Sequence, residues 1–130
     1  MELVNLMNAM PDREPILRIY GHYAVLNAAA VALLGLEDGD YVRFSQSRTE
    51  RINGKPFLYV KKAVTSFGST PVHKRCRVMR IEQRQLARLL SEALDGPGMY
   101  RVCPDDTIRD DEGQICYNIF FRNYDKKNTD

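Results

Sequence analysis

The chain has 130 residues, a formal net charge of +2, 44% hydrophobic residues, and seven Tyr with five Phe. This suits one folded domain with a real core and excludes a disordered polyelectrolyte. No apolar run is long enough to span a bilayer, and residues 1–15 lack the basic and then apolar order of a secretory leader. A soluble cytoplasmic protein without a membrane partner is therefore expected. Cys76, Cys103 and Cys116 are an odd number, far apart, with no C-x-x-C pair, which predicts free buried or half-buried thiols and no disulfide framework.

Residues 1–16, broken by Pro11 and Pro15, read as an irregular arm or short first strand whose Leu3, Leu6 and Met7 could cover a sheet edge. Residues 20–26 are aromatic and aliphatic apart from Gly21 and His22, which predicts a half-buried strand. Asn27 is a good N-cap for the apolar run 28–34, and Gly35 a good left-handed stop, with Leu36 folding back on the last turn. A helix of two turns is too short to stand alone, so it must pack on a sheet. Residues 37–40 predict a turn with Gly39 at positive φ, and residues 41–46 depart as a strand. Asn53-Gly54 favours a hairpin turn, with 47–52 as a bulged or mobile loop and 56–64 as the returning strand. Gly68 and Pro71 mark a second break.

Strand, capped short helix ending in Leu34-Gly35-Leu36, then Gly39-Asp40 and an outgoing strand: this order resembles the core of AbrB/SpoVT-type swapped-hairpin DNA-binding domains. More broadly it is similar to the Gly-Asp turn of cradle-loop and double-psi β-barrels. The likeness covers about residues 20–45. It implies a small barrel and a DNA partner. Those families carry a proline and basic residues at the helix start, where this chain has Leu26-Asn27-Ala28.

The second half follows the order of the first. Residues 72–81 read as a strand, 82–94 as a helix, 95–98 as a Gly-Pro turn, 99–103 as a strand, 110–113 as an acidic turn and 115–122 as the last strand. We align Leu26-Asn27 with Ile81-Glu82, and the Gly39 turn with that at Gly96 and Gly98. The fold expected is a single α+β domain over 1–130, with an arm at 1–16, units at 17–66 and 67–122, and a frayed polar tail at 123–130. Its core would be a small antiparallel β-barrel or curved sheet with two helices, built from two tandem strand-helix-strand-strand units related by a pseudo-twofold axis. Closure removes the edges that would otherwise aggregate.

Between Arg43 and Arg88 there are 12 basic residues against 2 acids, a local net of +10 that leaves −8 for the remainder. Such segregation makes a positive surface on a nearly neutral protein. Arg80, Arg84 and Arg88 recur every fourth residue and would line one face of the second helix, opposite Leu86, Leu89, Leu90, Ala93 and Leu94. His73, Lys74, Arg75 and Arg77 precede that helix, the place where AbrB-like families carry bases. On the first hairpin, alternation puts Tyr41, Arg43 and Ser45 on one face and Phe57, Tyr59 and Lys61 on one face of the partner strand. Facing outward together they would form a stacking and phosphate-pairing platform; the alternative is that the aromatics point inward, with Val42, Phe44, Leu58 and Val60 outside.

No catalytic, metal or cofactor site is expected. The two histidines, His22 and His73, lack ligand-spaced partners, and no phosphate loop, dinucleotide fingerprint or nucleophile elbow is present. The acidic run at Asp105, Asp106, Asp110, Asp111 and Glu112 reads as a cation site or as a solvated hairpin tip. Cys76, between Arg75 and Arg77, reads as a reactive thiol or as an inward strand residue. Two functions follow. One is a non-enzymatic nucleic-acid-binding regulator or accessory factor, taking DNA or RNA through Arg43, Tyr59, Lys61, Lys74, Arg75, Arg77, Arg80, Arg84 and Arg88, with homo-oligomerisation open and no small-molecule substrate. The other is an interaction module that docks its basic half on the acidic hairpin of a second copy or on an acidic protein.

Overall fold

A computed structural model describes residues 14–52 and 54–123. The expected arm with Leu3, Leu6, Met7 and Pro11, Asn53 of the first hairpin turn, and the expected tail beyond 123 lie outside the described residues. Among the described residues, nine strands and two helices form in the order β1 (Ile16–Ile19), β2 (Ala24–Leu26), α1 (Ala28–Leu34), β3 (Tyr41–Ile52), β4 (Lys55–Ala63), β5 (Thr70–Pro71), β6 (His73–Arg75), β7 (Val78–Ile81), α2 (Arg84–Ala93), β8 (Gly98–Arg109) and β9 (Ile115–Ile119). Neither helix is long and apolar enough to cross a membrane.

The strands form one antiparallel sheet ordered β5-β3-β4-β9-β8-β1-β2-β7-β6. Its two outermost members, β5 and β6, are separated in the chain only by Val72. The sheet therefore curls into a nearly closed barrel. Val72 secures the seam by donating to the Asp40 carbonyl at 2.8 Å and accepting from the Gly39 N–H at 2.9 Å. The two halves meet through equivalent strands, since β2 pairs with β7 and β4 with β9. Leu17 with Val72 and Leu26 with Ile81 occupy matching positions, and all four are buried in the barrel core. The expected small α+β barrel with two helices is what the chain forms.

Local chemistry sets the first unit. Asn27 caps α1 by accepting from the Ala30 N–H at 2.9 Å, and the same oxygen accepts from the Ile16 N–H at 2.9 Å while its amide donates to the Glu14 carbonyl. One side chain thus ties the helix start to β1. Gly35 adopts φ 67, and Leu36 folds back to donate to the Val31 carbonyl. α1 packs on β1, β2 and β7, and α2 on β1 and β4.

Several sequence expectations change. Residues 20–26 are not one strand: the Tyr20 N–H donates to the Tyr23 carbonyl and closes a tight turn, so β1 and β2 form a hairpin that Gly21 and His22 permit. Residues 72–81 likewise fold into the β6–β7 hairpin, whose turn puts Cys76 at φ 57 and exposes it, so Cys76 is not an inward strand residue. β3 continues as strand through 47–52, with an irregular register between Gln46 and Arg51 in place of a loop. At the other end Asn123 is 2% exposed and so does not belong to a frayed tail. It accepts from the Met99 N–H and donates to the Pro97 carbonyl, filling the space where Gly98, at φ 143, has no Cβ.

Asn27→Ala should lower stability by about 1–2 kcal/mol, because the cap and the link to β1 are lost together. Cys76→Gly should raise it by roughly 1 kcal/mol by relieving a left-handed conformation that a β-carbon disfavours. Urea denaturation of the two variants beside the parent checks both.

Candidate nucleic-acid interface

In the part of the barrel made by β1, β2, β7 and β6, alternation sends Leu17, Ile19, Leu26, Met79 and Ile81 inward, all buried. The intervening residues face out. Register places Arg18 beside Val25, Val25 beside Arg80 and Arg80 beside His73, so one row crosses four strands. At the turn between β1 and β2, Tyr20 and Tyr23 stack with centroids 4.6 Å apart and planes 20° apart. The Arg80 guanidinium lies over the Tyr23 ring at 3.9 Å, and that of Arg18 is 5.9 Å from the Tyr20 centroid. Cations and aromatic faces thus alternate on one outer surface, an arrangement that can both stack on bases and pair with phosphates.

The β6–β7 hairpin continues this row through His73 and Arg75, whereas Lys74, which pairs with the inward Met79, leaves the sheet on its other side. His73, Lys74, Arg75 and Arg77 are all exposed, because this two-residue turn projects beyond the core. Glu82 is the carboxylate they share with the row, 3.3 Å from Arg80 Nε and 3.9 Å from Arg75 Nη2. Lys74 and Arg77 have no acidic partner within ion-pair distance among the described residues. Excess positive charge therefore stays at the hairpin tip.

The arginine stripe expected on the second helix is broken. α2 begins at Arg84, so Arg80 belongs to β7 and its side chain lies on Tyr23 instead of in line with Arg84 and Arg88. The glutamate and glutamine before Arg84 complete the strand-to-helix corner, and a four-residue spacing has no helical meaning across it. Arg84 and Arg88 are exposed on α2, Arg88 within 3.7 Å of Glu92. Leu89, expected on the apolar side, is 61% exposed, whereas Ala87, Leu90 and Leu94 carry the buried face.

The first hairpin cannot serve as the platform. Arg43 does pair with Lys61 and Ser45 with Tyr59, so the expected faces coincide. However, Tyr59 is 5% and Lys61 3% exposed. Beyond an irregularity between Val102 and Thr107, the far end of the β8–β9 hairpin reaches across that face. Lys61 Nζ donates to the Asp110 carboxylate and, at 2.6 Å, to Gln114 Oε1, and Arg43 lies 3.3 Å from Glu112. The inverse assignment fails too, since Val42, Leu58 and Val60 line the core. Both faces are covered, one by the barrel interior and the other by acid.

The acidic run thus has an internal partner. Asp110 also accepts from the Glu112 and Gln114 N–H groups, which fixes the turn. The hydrogen bond from Lys61, followed by those from the backbone, holds its carboxyl below the ordinary aspartate value of 3.8. Burial pushes the Cys103 and Cys116 thiols up, away from the reactive thiolate.

Arg18, Tyr20 and Tyr23 were not singled out in the sequence. Their signal was present in the alternation of Arg18 with Tyr20, but reading 20–26 as one strand placed Tyr20 and Tyr23 on opposite faces, whereas the turn stacks them. No protein-family model matches the chain, and comparison with curated proteins and with solved structures gave no significant match.

Because the Asp110 carboxyl is lowered in the folded state, its contribution to stability is complete above the ordinary aspartate range and is lost as pH falls through the lowered value. Asp110→Asn should destabilise the protein at neutral pH by leaving the Lys61 ammonium buried without its carboxylate, and should flatten the acid limb of the stability profile. Urea midpoints of parent and variant between neutral and strongly acidic pH check this.

Proposed function

We propose that the protein is a nucleic-acid-binding regulator or accessory factor that takes a single strand across the outer face of β1, β2, β7 and β6. The observation that carries this reading is the stacked Tyr20–Tyr23 pair with Arg80 on its face, continuous through the sheet register with the exposed basic hairpin. Arg75 and Arg77 would neutralise phosphates, releasing counterions, with Lys74 adding charge from the other side of the hairpin, while the exposed Tyr20 ring and the edge of Tyr23 accept bases, the faces of Tyr23 being taken by Tyr20 and Arg80. Stacking tolerates every base, so little sequence preference is expected. Bases placed just ahead of the second helix agree with the likeness to AbrB/SpoVT-type domains, and a cytoplasmic, non-enzymatic role fits this reading.

The competing idea, docking of the basic half on the acidic hairpin of a second copy, is less well supported. Asp110 and Glu112 of that hairpin are already engaged by Lys61 and Arg43 of their own chain.

Salt titration of binding to a labelled single-stranded oligonucleotide tests the reading. The triple variant Lys74→Gln, Arg75→Gln, Arg77→Gln should lose about 0.7 per lost phosphate contact from the slope of log affinity against log salt. Tyr20→Ala with Tyr23→Ala should weaken binding by roughly tenfold or more while preserving the slope, since stacking is worth about 1–3 kcal/mol per base. Arg84→Gln with Arg88→Gln should change little. Absence of salt-dependent binding by the parent protein would overturn the proposal.

A further inference from the structure

The inner side of the β6–β7 hairpin is a surface that the tyrosine row does not use. Lys74 leaves the sheet there, on the side of Met79, and with Cys76 and Arg77 forms one wall of a groove of about 430 Å³. Small-molecule sites run from roughly 300 to 1,000 Å³, so the groove is of ligand size. The turn after α1 supplies the other wall through Glu37 and Asp38. Both walls are held in place. Asp38 Oδ1 accepts from the Lys74 N–H at 2.8 Å, which ties the turn to the hairpin, and the Glu37 N–H donates to Asp40 Oδ2 at 2.7 Å. The floor is apolar, with Val31 and Val78 half-buried and Leu36 and Met79 buried.

The charges along this groove do not satisfy one another. Among the described residues, Lys74 and Arg77 have no carboxylate within ion-pair distance, and Glu37 and Asp38 have no cation. All four side chains are exposed. A lone oxyanion would meet the two cations but be repelled by the two carboxylates, and a metal cation would meet the reverse. A purely apolar ligand would leave all four charges unanswered. The groove fits a molecule with an anionic group at one end, N–H donors at the other and a flat, weakly polar body between them.

We propose that this groove binds a guanine nucleotide. Its phosphate meets Lys74 and Arg77. The base lies along the apolar floor, as an unstacked base does in a pocket of apolar side chains. Guanine carries a ring N–H beside its exocyclic amino group, two adjacent donors that one carboxylate accepts as a pair. Glu37 is the carboxylate for that edge, since Asp38 keeps its bond to the Lys74 N–H. Uracil and thymine offer one N–H between two carbonyl oxygens, which the carboxylates repel. Where the guanine belongs to a strand turning round the hairpin tip, the inference rests on the nucleic-acid reading, and this groove is the one position read by sequence while the tyrosines tolerate every base. A free nucleotide meets the same chemistry without that reading.

Cys76 lines the groove and is exposed, whereas Cys103 is half-buried and Cys116 buried. Alkylation of Cys76 by iodoacetamide, followed by peptide mass in the full-length protein, therefore reports occupancy. Guanosine monophosphate should slow that alkylation saturably, and uridine monophosphate should require roughly tenfold more for the same protection, as loss of a bidentate base contact does. Glu37→Gln should remove this preference, and Lys74→Gln should weaken protection by both nucleotides about tenfold. Both side chains are exposed, so neither change disturbs the fold or Cys76. Alkylation that neither nucleotide slows, equal protection by the two in the parent, or a preference retained in Glu37→Gln would overturn the site. A single-stranded thymine oligonucleotide with one central guanine that protects Cys76 better than thymine alone identifies a strand as the source; one that binds without protecting, while guanosine monophosphate protects, identifies a free nucleotide. Failure of every oligonucleotide to bind, with guanosine monophosphate still protecting, would instead count against the nucleic-acid reading alone.

Discussion

Closure of the sheet at Val72 is the constraint on which the other elements depend. α1 and α2 are too short to persist without a packing surface, and isolated hairpins are marginal in water. Each element therefore borrows its stability from the closed sheet. Val72 makes closure possible because one residue carries the chain from a strand beside β3 to a strand beside β7, with both of its backbone groups bonded to the turn at Gly39 and Asp40. The Gly39 turn is thus more than a reversal of direction. It is half of the seam.

Closure also decides where charge ends up. A chain with twelve bases in one central segment looks like a protein with a broad positive face. Much of that charge is instead consumed inside the molecule. Arg43 and Lys61 are covered by the acidic hairpin, Lys62 reaches Asp40 and the Gly35 carbonyl at the end of α1, and Arg88 pairs with Glu92. Among the described residues, what escapes includes the β6–β7 tip, the row beside the stacked tyrosines and Arg84 on α2. The proposed surface is smaller than the composition suggests.

The proposed nucleic-acid face arises where the two units of the barrel differ. The turn between β1 and β2 carries Tyr20 and Tyr23, while its counterpart between β6 and β7 carries Cys76 and Arg77, so the stack and the cationic tip stand at related corners of one sheet. Asn27 caps the first helix, whereas the Gln83 side chain makes no capping bond at the second.

The sequence determined the elements whose cause is local. Asn27, Gly35 and Gly39 act within a few residues, so the capped helix, its stop and the acidic turn were legible, as were the hairpin partners β3 and β4 and the two-unit order behind the barrel. Only the tertiary structure decided which faces are open. That Tyr59 and Lys61 are covered depends on Asp110 and Gln114, some fifty residues away. That Arg80 lies on Tyr23 depends on the pairing of β2 with β7. Period-two and period-four patterns report which side chains share a face but carry no information about what lies across from it, because burial is set by contacts distant in the chain.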